Sequence, residues 1–327
     1  MGLWSEDLSL FDYKNSRDGY SYRWFQLYKE FQKAGVELVL FNNTCKVDLD
    51  NFYAVIENGV RDFKHSRKYL LIVEGRGIRP QDWVLENHAI YRKIFCWNDD
   101  LIDNERYFKL NFAFKFPDAI PRIFHQKKLC CMVSANKVAL PFSEGELYSK
   151  RVDCIRWFER NHPDDFDLYG IGWDQYGFGR SLMGRALNKI KFLRKKNIFP
   201  SYRSVVESKY NTMKGYKFSI CYENFSGYNG YITEKIFDSF FAGCVPIYWG
   251  ANNVEKHIPE ACFIDIRNFS GLNEVYLYIA NMSEERYMEY LNSIEGFLES
   301  DRSRPFKAET FAKTIVEEVL EGAKSTT

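Results

Sequence analysis

Two α/β domains are predicted for this chain, and three observations predict them. Strand-like and helix-like runs alternate along most of its length. A basic stretch with two prolines, 117 to 128, interrupts that alternation and reads as the connection between the domains. Residues 216 to 250 then read in order as strand, polar loop, helix, glycine stop and strand. A chain of 327 residues suits two ordinary domains or one large α/β domain, and 46% hydrophobic residues provide a sizeable core.

In the first half, 20 to 33 has helical periodicity and Gly35 stops it. Strands are expected at 36 to 41, 52 to 56, 68 to 74 and 91 to 97, the third being a continuous apolar run before the loop Gly75-Arg76-Gly77-Ile78-Arg79-Pro80. A second series starts with a strand at 129 to 134. It continues with an amphipathic helix at 144 to 160, a strand at 166 to 172, a glycine-rich loop at 170 to 184 and a basic run at 189 to 196. At the end of the chain, 306 to 322 is amphipathic, with Phe311, Ile315 and Val319 every four residues.

Bulk properties exclude several classes. A net charge of +1 gives no footprint for nucleic acid. Aromatic residues make up 17%, first as core and second as platforms for sugars. The eight cysteines include no Cys-x-x-Cys pair and several sit in apolar runs, so they read as reduced, buried thiols. No apolar run reaches about 18 residues, and the start of the chain lacks a basic, then apolar, leader. Neither a membrane span nor a signal peptide is therefore expected.

The run 216 to 250 carries the chemistry. Its strand ends in Glu223-Asn224, Ser226, Gly227, Asn229 and Gly230 form the loop, and Thr233 is placed to cap a helix from Glu234 to Ala242, stopped by Gly243. A second strand is expected from Val245 to Trp249. In open α/β sheets, ligands bind at such strand-to-helix breaks. The partial positive charge of a helix start suits a diphosphate. Lys235 beside that start is unfavourable for the helix alone, which hints at an anionic ligand; a solvent-facing lysine is the plain alternative.

Three blocks here, Tyr-Lys-Phe-x-x-Cys-Tyr-Glu-Asn at 216 to 224, Tyr-Ile-Thr-Glu-Lys at 231 to 235, and Ala-Gly-Cys-Val-Pro-Ile-Tyr-Trp-Gly at 242 to 250, closely resemble the donor signature of the family 10 glycosyltransferases, the α-1,3/1,4-fucosyltransferases. The likeness is close over about 205 to 270 and looser elsewhere. It implies a GT-B fold: two Rossmann-like domains facing across a cleft, with a C-terminal amphipathic helix. The domains would be 1–125 for the acceptor and 126–300 for GDP, with 301–327 packing back across both. The implied reaction is inverting transfer of fucose from GDP-fucose to a glycan hydroxyl. The product would be an α-1,3 linkage to an N-acetylglucosamine-type residue, in surface polysaccharide or lipopolysaccharide synthesis. A different nucleotide sugar, or an inactive glycan-binding homologue, are the alternatives. Animal Golgi members carry an N-terminal anchor; this chain resembles the soluble bacterial or viral kind, with a cytoplasmic location.

Under this resemblance Lys235 and Arg151 stabilise the departing diphosphate, Arg156 being the rival for the second role. Glu234 accepts hydrogen bonds from ribose hydroxyls, or serves only as a good helix-start residue. Asn224 and Tyr231 line the donor pocket, Thr233 starts the helix, and Glu223 binds sugar, orients Lys235 or makes a structural ion pair. Glu74, at the end of the strongest N-terminal strand, is the expected general base, with Glu86 and His88 as alternatives. No obligatory metal is expected, since basic groups and helix ends replace it in GT-B enzymes, although manganese or magnesium can stimulate; Asn98-Asp99-Asp100 and Pro163-Asp164-Asp165 are weak metal signals. Expected partners are a nucleotide-sugar donor and a glycan acceptor. The run 189 to 196 reads as a solvated helix face or as a peripheral membrane contact that would suit a lipid-linked acceptor.

Overall fold

The structure is a computed structural model and describes residues 1–43, 45, 48, 52–61, 64–138, 144–175, 182–187, 189–190 and 199–324. Lys191, Arg194, Lys195 and Lys196 of the basic run lie outside the described residues. The chain divides into two compact units, Met1–Phe116 with Ser303–Thr327, and Pro117–Arg302.

The first unit is built on a six-stranded sheet. Its strands are β1 (Gly2–Trp4), β2 (Val39–Phe41), β3 (Val55–Asn58), β4 (Lys68–Ile72), β5 (Lys93–Cys96) and β6 (Tyr107–Lys109). They pair in the order β2-β1-β3-β4-β5-β6, all parallel. Every residue of β4 is buried, as a parallel strand covered on both faces requires. Its one charge, Lys68, is paired at 3.4 Å with the enclosed Glu57. Helix α1 (Tyr22–Lys33) buries Trp24, Leu27 and Phe31 along one stripe. It ends where Gly35 takes a positive φ of 74°, with Val36 N–H bonded to Phe31 O and Gly35 N–H to Gln32 O. The C-terminal helix Ala308–Lys324 packs on α1, with Trp24 edge-on to Phe311 at 5.5 Å. The Tyr69 hydroxyl also reaches its Val319 carbonyl at 3.2 Å.

The second unit holds another six-stranded parallel sheet, β7 (Lys128–Val133), β8 (Phe166–Tyr169), β9 (Tyr202–Ser204), β10 (Tyr216–Tyr222), β11 (Val245–Trp249) and β12 (Ile264–Asp265). Its order is β12-β11-β10-β7-β8-β9. The chain therefore runs outward on one side of β7, then returns to the other side with β10. That reversal opens a crevice at the C-terminal ends of β7 and β10, where doubly wound sheets bind their ligands. Among the described residues, the helices that accompany this sheet are α2 (Tyr148–Asn161), α3 (Leu182–Leu187), α4 (Lys209–Met213), α5 (Glu234–Phe241), α6 (Val254–His257), α7 (Leu272–Ala280) and α8 (Glu284–Glu299).

Helix α5 ends as its sequence requires. Gly243 has φ 59°, Cys244 N–H bonds Ser239 O at 2.9 Å, and Gly243 N–H bonds Phe240 O at 3.0 Å. A Cβ on Gly243 would also lie 2.0 Å from Pro121 O, so only glycine fits. Under α5, the small polar side chains Ser219 and Cys221 of β10 let the helix approach closely. Ser219 and Ser239 share a hydrogen bond of 2.5 Å, and Cys221 Sγ reaches the Lys235 carbonyl at 3.4 Å. All eight cysteines are free thiols. Burial pushes the Cys221 thiol up to about 12, so it serves packing and not chemistry. Among the described residues, no helix is long and apolar enough to cross a membrane.

Candidate functional site

The expected donor residues gather where β10 hands over to α5. Glu223 is fully enclosed at the end of β10. One carboxylate oxygen accepts from Thr233 N–H at 2.7 Å. The other accepts from the Thr233 hydroxyl at 2.5 Å and from Lys235 Nζ at 3.1 Å. Gly250 makes room for this carboxylate, because a Cβ there would sit 2.4 Å from Glu223 Cγ. Glu223 thus makes an ion pair with Lys235 at 3.1 Å.

Thr233 occupies the N-cap position of α5 but makes no side-chain capping bond. Its hydroxyl is spent on Glu223 and accepts from Lys235 Nζ at 2.9 Å. Thus the cap expected from the sequence is correct in place and different in chemistry: Thr233 ties the lysine to the enclosed acid. Lys235 also lies 3.4 Å from Glu234 Oε1. Burial works against its charge, yet Glu223 and Glu234 outweigh burial and hold the ammonium above its ordinary range. Glu234 remains 40% exposed, so its carboxylate is available to a ligand. Burial there favours the neutral acid, but Lys235 and Lys209 hold the carboxyl well below its usual range.

Arg151, on α2, is buried at the same place. Its Nη2 donates to Tyr222 O at 2.8 Å, Glu223 O at 2.7 Å and Asn224 Oδ1 at 3.0 Å. All three bonds run through one terminal nitrogen, so the guanidinium clamps the end of β10 from one edge. Asn224 in turn donates from Nδ2 to the Tyr231 hydroxyl at 3.4 Å. Tyr231 is buried and stands behind Asn224 as a wall. A small concavity of about 20 Å³, partly open to solvent, is lined by Ser134, Arg151, Tyr222, Lys235 and Asp238 among others. Two cations thus share one hollow at the β7/β10 reversal, beside the positive end of a helix.

The rivals fall elsewhere. Arg156 makes an ion pair of 2.6 Å with Glu159 one turn along α2 and lies over Phe199. His88 is buried; its two nitrogens meet the Tyr107 hydroxyl and the Asp82 carbonyl, both at 2.9 Å. It is a structural histidine. Glu86 is exposed on a short 3₁₀ turn. Glu74 follows β4 by two residues, since the strand ends at Ile72, and its carbonyl accepts from Trp83 Nε1 at 3.0 Å. At the weak metal signals, Asn98 caps Asp100 N–H, Asp99 pairs with Lys109 at 2.5 Å, and Asp165 accepts from Tyr276 at 2.8 Å. No group of three or more metal-ligating side chains occurs among the described residues. Two neighbours of the site went unanticipated. Asp238 stands four residues after Glu234 on the helix, and Lys209 pairs with it at 2.7 Å and approaches Glu234 at 4.0 Å. Asp238 is legible from its spacing, whereas Lys209 comes from α4 and has no local signal.

Residues 174–303 match the model of the glycosyltransferase family 10 (fucosyltransferase) C-terminal region, which takes in β9 to β12 and the β10–α5 cluster, while β7 and Arg151 on α2 lie before it. The match is confined to this C-terminal stretch of the chain. Among related proteins, an α-(1,3)-fucosyltransferase (FucT) of Helicobacter pylori is 34% identical over 120 residues, 34% of this chain and 25% of that protein. An α-(1,4)-fucosyltransferase of Arabidopsis thaliana is 36% identical over 80 residues, 24% of this chain and 20% of the relative. A mouse 4-galactosyl-N-acetylglucosaminide 3-α-L-fucosyltransferase 9 is 33% identical over 90 residues, 26% and 25% of the two chains. The chain thus spans about a quarter of the length of the curated relatives it matches.

Solved structures extend the likeness in fold to both units. An α1,3-fucosyltransferase crystallised with GDP aligns over 98% of this chain and 90% of its own, with a TM-score of 0.54 and 14% identity. Anabaena Alr3699/HepE, crystallised with UDP and glucose, aligns over 98% and 99% with a TM-score of 0.55 and 10% identity. At such identities the agreement is one of fold, and that fold is GT-B, built from two parallel α/β units.

Proposed function

We propose that the protein is an inverting fucosyltransferase that moves fucose from GDP-fucose to a hydroxyl of a glycan. The observation that carries this reading is the pairing of Lys235, within the stretch that matches family 10, with Arg151 around one concavity at the start of α5. A departing diphosphate develops charge as the sugar bond breaks. Preorganised cations and a helix end stabilise that charge without reorganisation. Because Glu223 and Thr233 hold Lys235 in place, its ammonium is presented with little entropy left to lose. Glu234 is placed for the ribose, while Asn224 and Tyr231 form the wall.

In this proposal Glu74 takes the proton of the acceptor hydroxyl, whose oxygen attacks the anomeric carbon from the face opposite GDP. A single displacement then inverts the configuration. Glu74 sits past the C-terminal end of a central parallel strand, the place where α/β units present functional groups. Residues 1–125 would serve the acceptor and 126–300 the donor. The chemistry as proposed uses no obligatory metal, with manganese or magnesium as a stimulant. The related fucosyltransferases support fucose as the sugar and an N-acetylglucosamine-type acceptor in α-1,3 linkage. A role in surface polysaccharide or lipopolysaccharide synthesis, at the cytoplasmic face of a membrane touched through 189 to 196, completes the proposal.

A second reading, a different nucleotide sugar, is favoured by one observation: the clustered cations address the diphosphate, which all such donors share. Mass-detected transfer from GDP-fucose, UDP-glucose and UDP-N-acetylglucosamine to a panel of small glycans separates the two. Product with GDP-fucose alone supports fucose. Product only with a UDP-sugar overturns it.

A further inference from the structure

We infer that Ser134 is a further contact for the donor's diphosphate, its hydroxyl donating a hydrogen bond to a phosphate oxygen. The inference rests on the proposed donor site and adds a third, uncharged donor to Lys235 and Arg151. Ser134 directly follows β7, on the other side of the strand reversal from the β10–α5 cluster. It lines the same concavity as the two cations. Its hydroxyl oxygen is buried and has no hydrogen-bond partner within the protein. Buried hydroxyls in native proteins are nearly always satisfied, so an unsatisfied one beside two cations points to a partner that arrives with the ligand.

The backbone around Ser134 is pinned from two directions. Its N–H donates to Tyr169 O at 3.0 Å, and its carbonyl accepts from the buried Trp173 Nε1 at 2.6 Å. Gly170, at φ 127°, passes so close that a Cβ would lie 1.9 Å from the Ser134 carbonyl oxygen. Two residues on, Asn136 is fastened in the same way, with N–H to Ile171 O and Nδ2 to Gly172 O, both at 2.9 Å. The loop from 170 to 173 thus fixes the end of β7, and the hydroxyl keeps only rotation about χ1. A rigid main chain with one free, unsatisfied donor is a preorganised ligand contact. Serine supplies that donor at the smallest volume, which suits a position crowded by Gly170 and Trp173.

Titration calorimetry with GDP, pyrophosphate and guanosine on the full chain tests the inference, together with the thermal midpoint of the free protein. For Ser134→Ala, the GDP and pyrophosphate Kd values should rise roughly 5- to 30-fold, the loss of one hydrogen bond to a charged acceptor. Guanosine affinity should stay constant. The free protein's midpoint should hold or rise, because the variant deletes an unsatisfied buried group. Ser134→Cys, which keeps the shape with a weak donor, should show the same selective loss and guards against a folding defect in the alanine variant. Equal GDP affinity in wild type and both variants overturns this inference and leaves the proposed function standing. A wild type that binds neither GDP nor pyrophosphate overturns both.

Discussion

Replacing Lys235 by alanine should damage stability and nucleotide binding together, and a second substitution should separate them. Glu223 is fully enclosed and loses its cation in Lys235→Ala, keeping two hydrogen bonds from Thr233. Breaking a buried pair at one end costs about 3–5 kcal/mol. The surviving Thr233 bonds and the partial exposure of Lys235 reduce that to roughly 2–3 kcal/mol. In Lys235→Ala with Glu223→Gln the stranded charge is gone, and about 2 kcal/mol should return. Binding does not recover. A unit charge about 4 Å from a phosphate is worth about 4 kcal/mol at an effective dielectric near 20. Allowing for water, a loss of about 2–3 kcal/mol raises the GDP Kd roughly 30- to 150-fold. Urea unfolding reads the first quantity and titration calorimetry the second. Unchanged GDP affinity in Lys235→Ala refutes the donor-site reasoning, and a double variant no more stable than the single one refutes the role given to Glu223.

Glu74→Gln should lower turnover by about 10²–10⁴-fold while GDP affinity stays within twofold, as expected for a general base; steady-state kinetics and calorimetry check it, and a collapse of GDP binding contradicts it. Gly243→Ala should destabilise the protein by roughly 2–3 kcal/mol or prevent folding, because it meets both a positive φ and the Pro121 carbonyl; the denaturant midpoint reads this. Asp167 titrates below its ordinary 3.8, burial being outweighed by hydrogen bonds from Lys128, Tyr216 and Arg203. A depressed carboxyl contributes stability above its unfolded value and loses it as pH falls through the folded one. Asp167→Asn should therefore be less stable than wild type at pH 7, with the gap closing as pH drops below about 3.8 in acid-unfolding curves.

Much of the fold is written locally. Helix α1 is legible because Trp24, Leu27 and Phe31 share a face and Gly35 stops it, and β4 because five consecutive residues are buried. The short strands β1, β6, β9 and β12, two or three residues each, have no room for alternation and are fixed by sheet neighbours. Helices α7 and α8 went unanticipated, although Ser283 before Glu284-Glu285 is a readable cap and does accept from Arg286 N–H. Within the site, Glu223, Thr233, Glu234 and Lys235 are close in sequence and were found together. The use of Thr233 to hold Lys235 was not readable, because it depends on an acid ten residues earlier being buried beneath the helix. The setting of His88 is hidden for the mirror reason: polar neighbours in sequence do not reveal that Tyr107 and the Asp82 carbonyl enclose it.

A crystal structure of the protein grown with GDP tests the central claim most directly. The account predicts the diphosphate in the hollow at the ends of β7 and β10, within about 3 Å of Lys235 Nζ and against the first turn of α5. A nucleotide seated away from that helix start, with Lys235 still bound only to Glu223, Thr233 and Glu234, contradicts it.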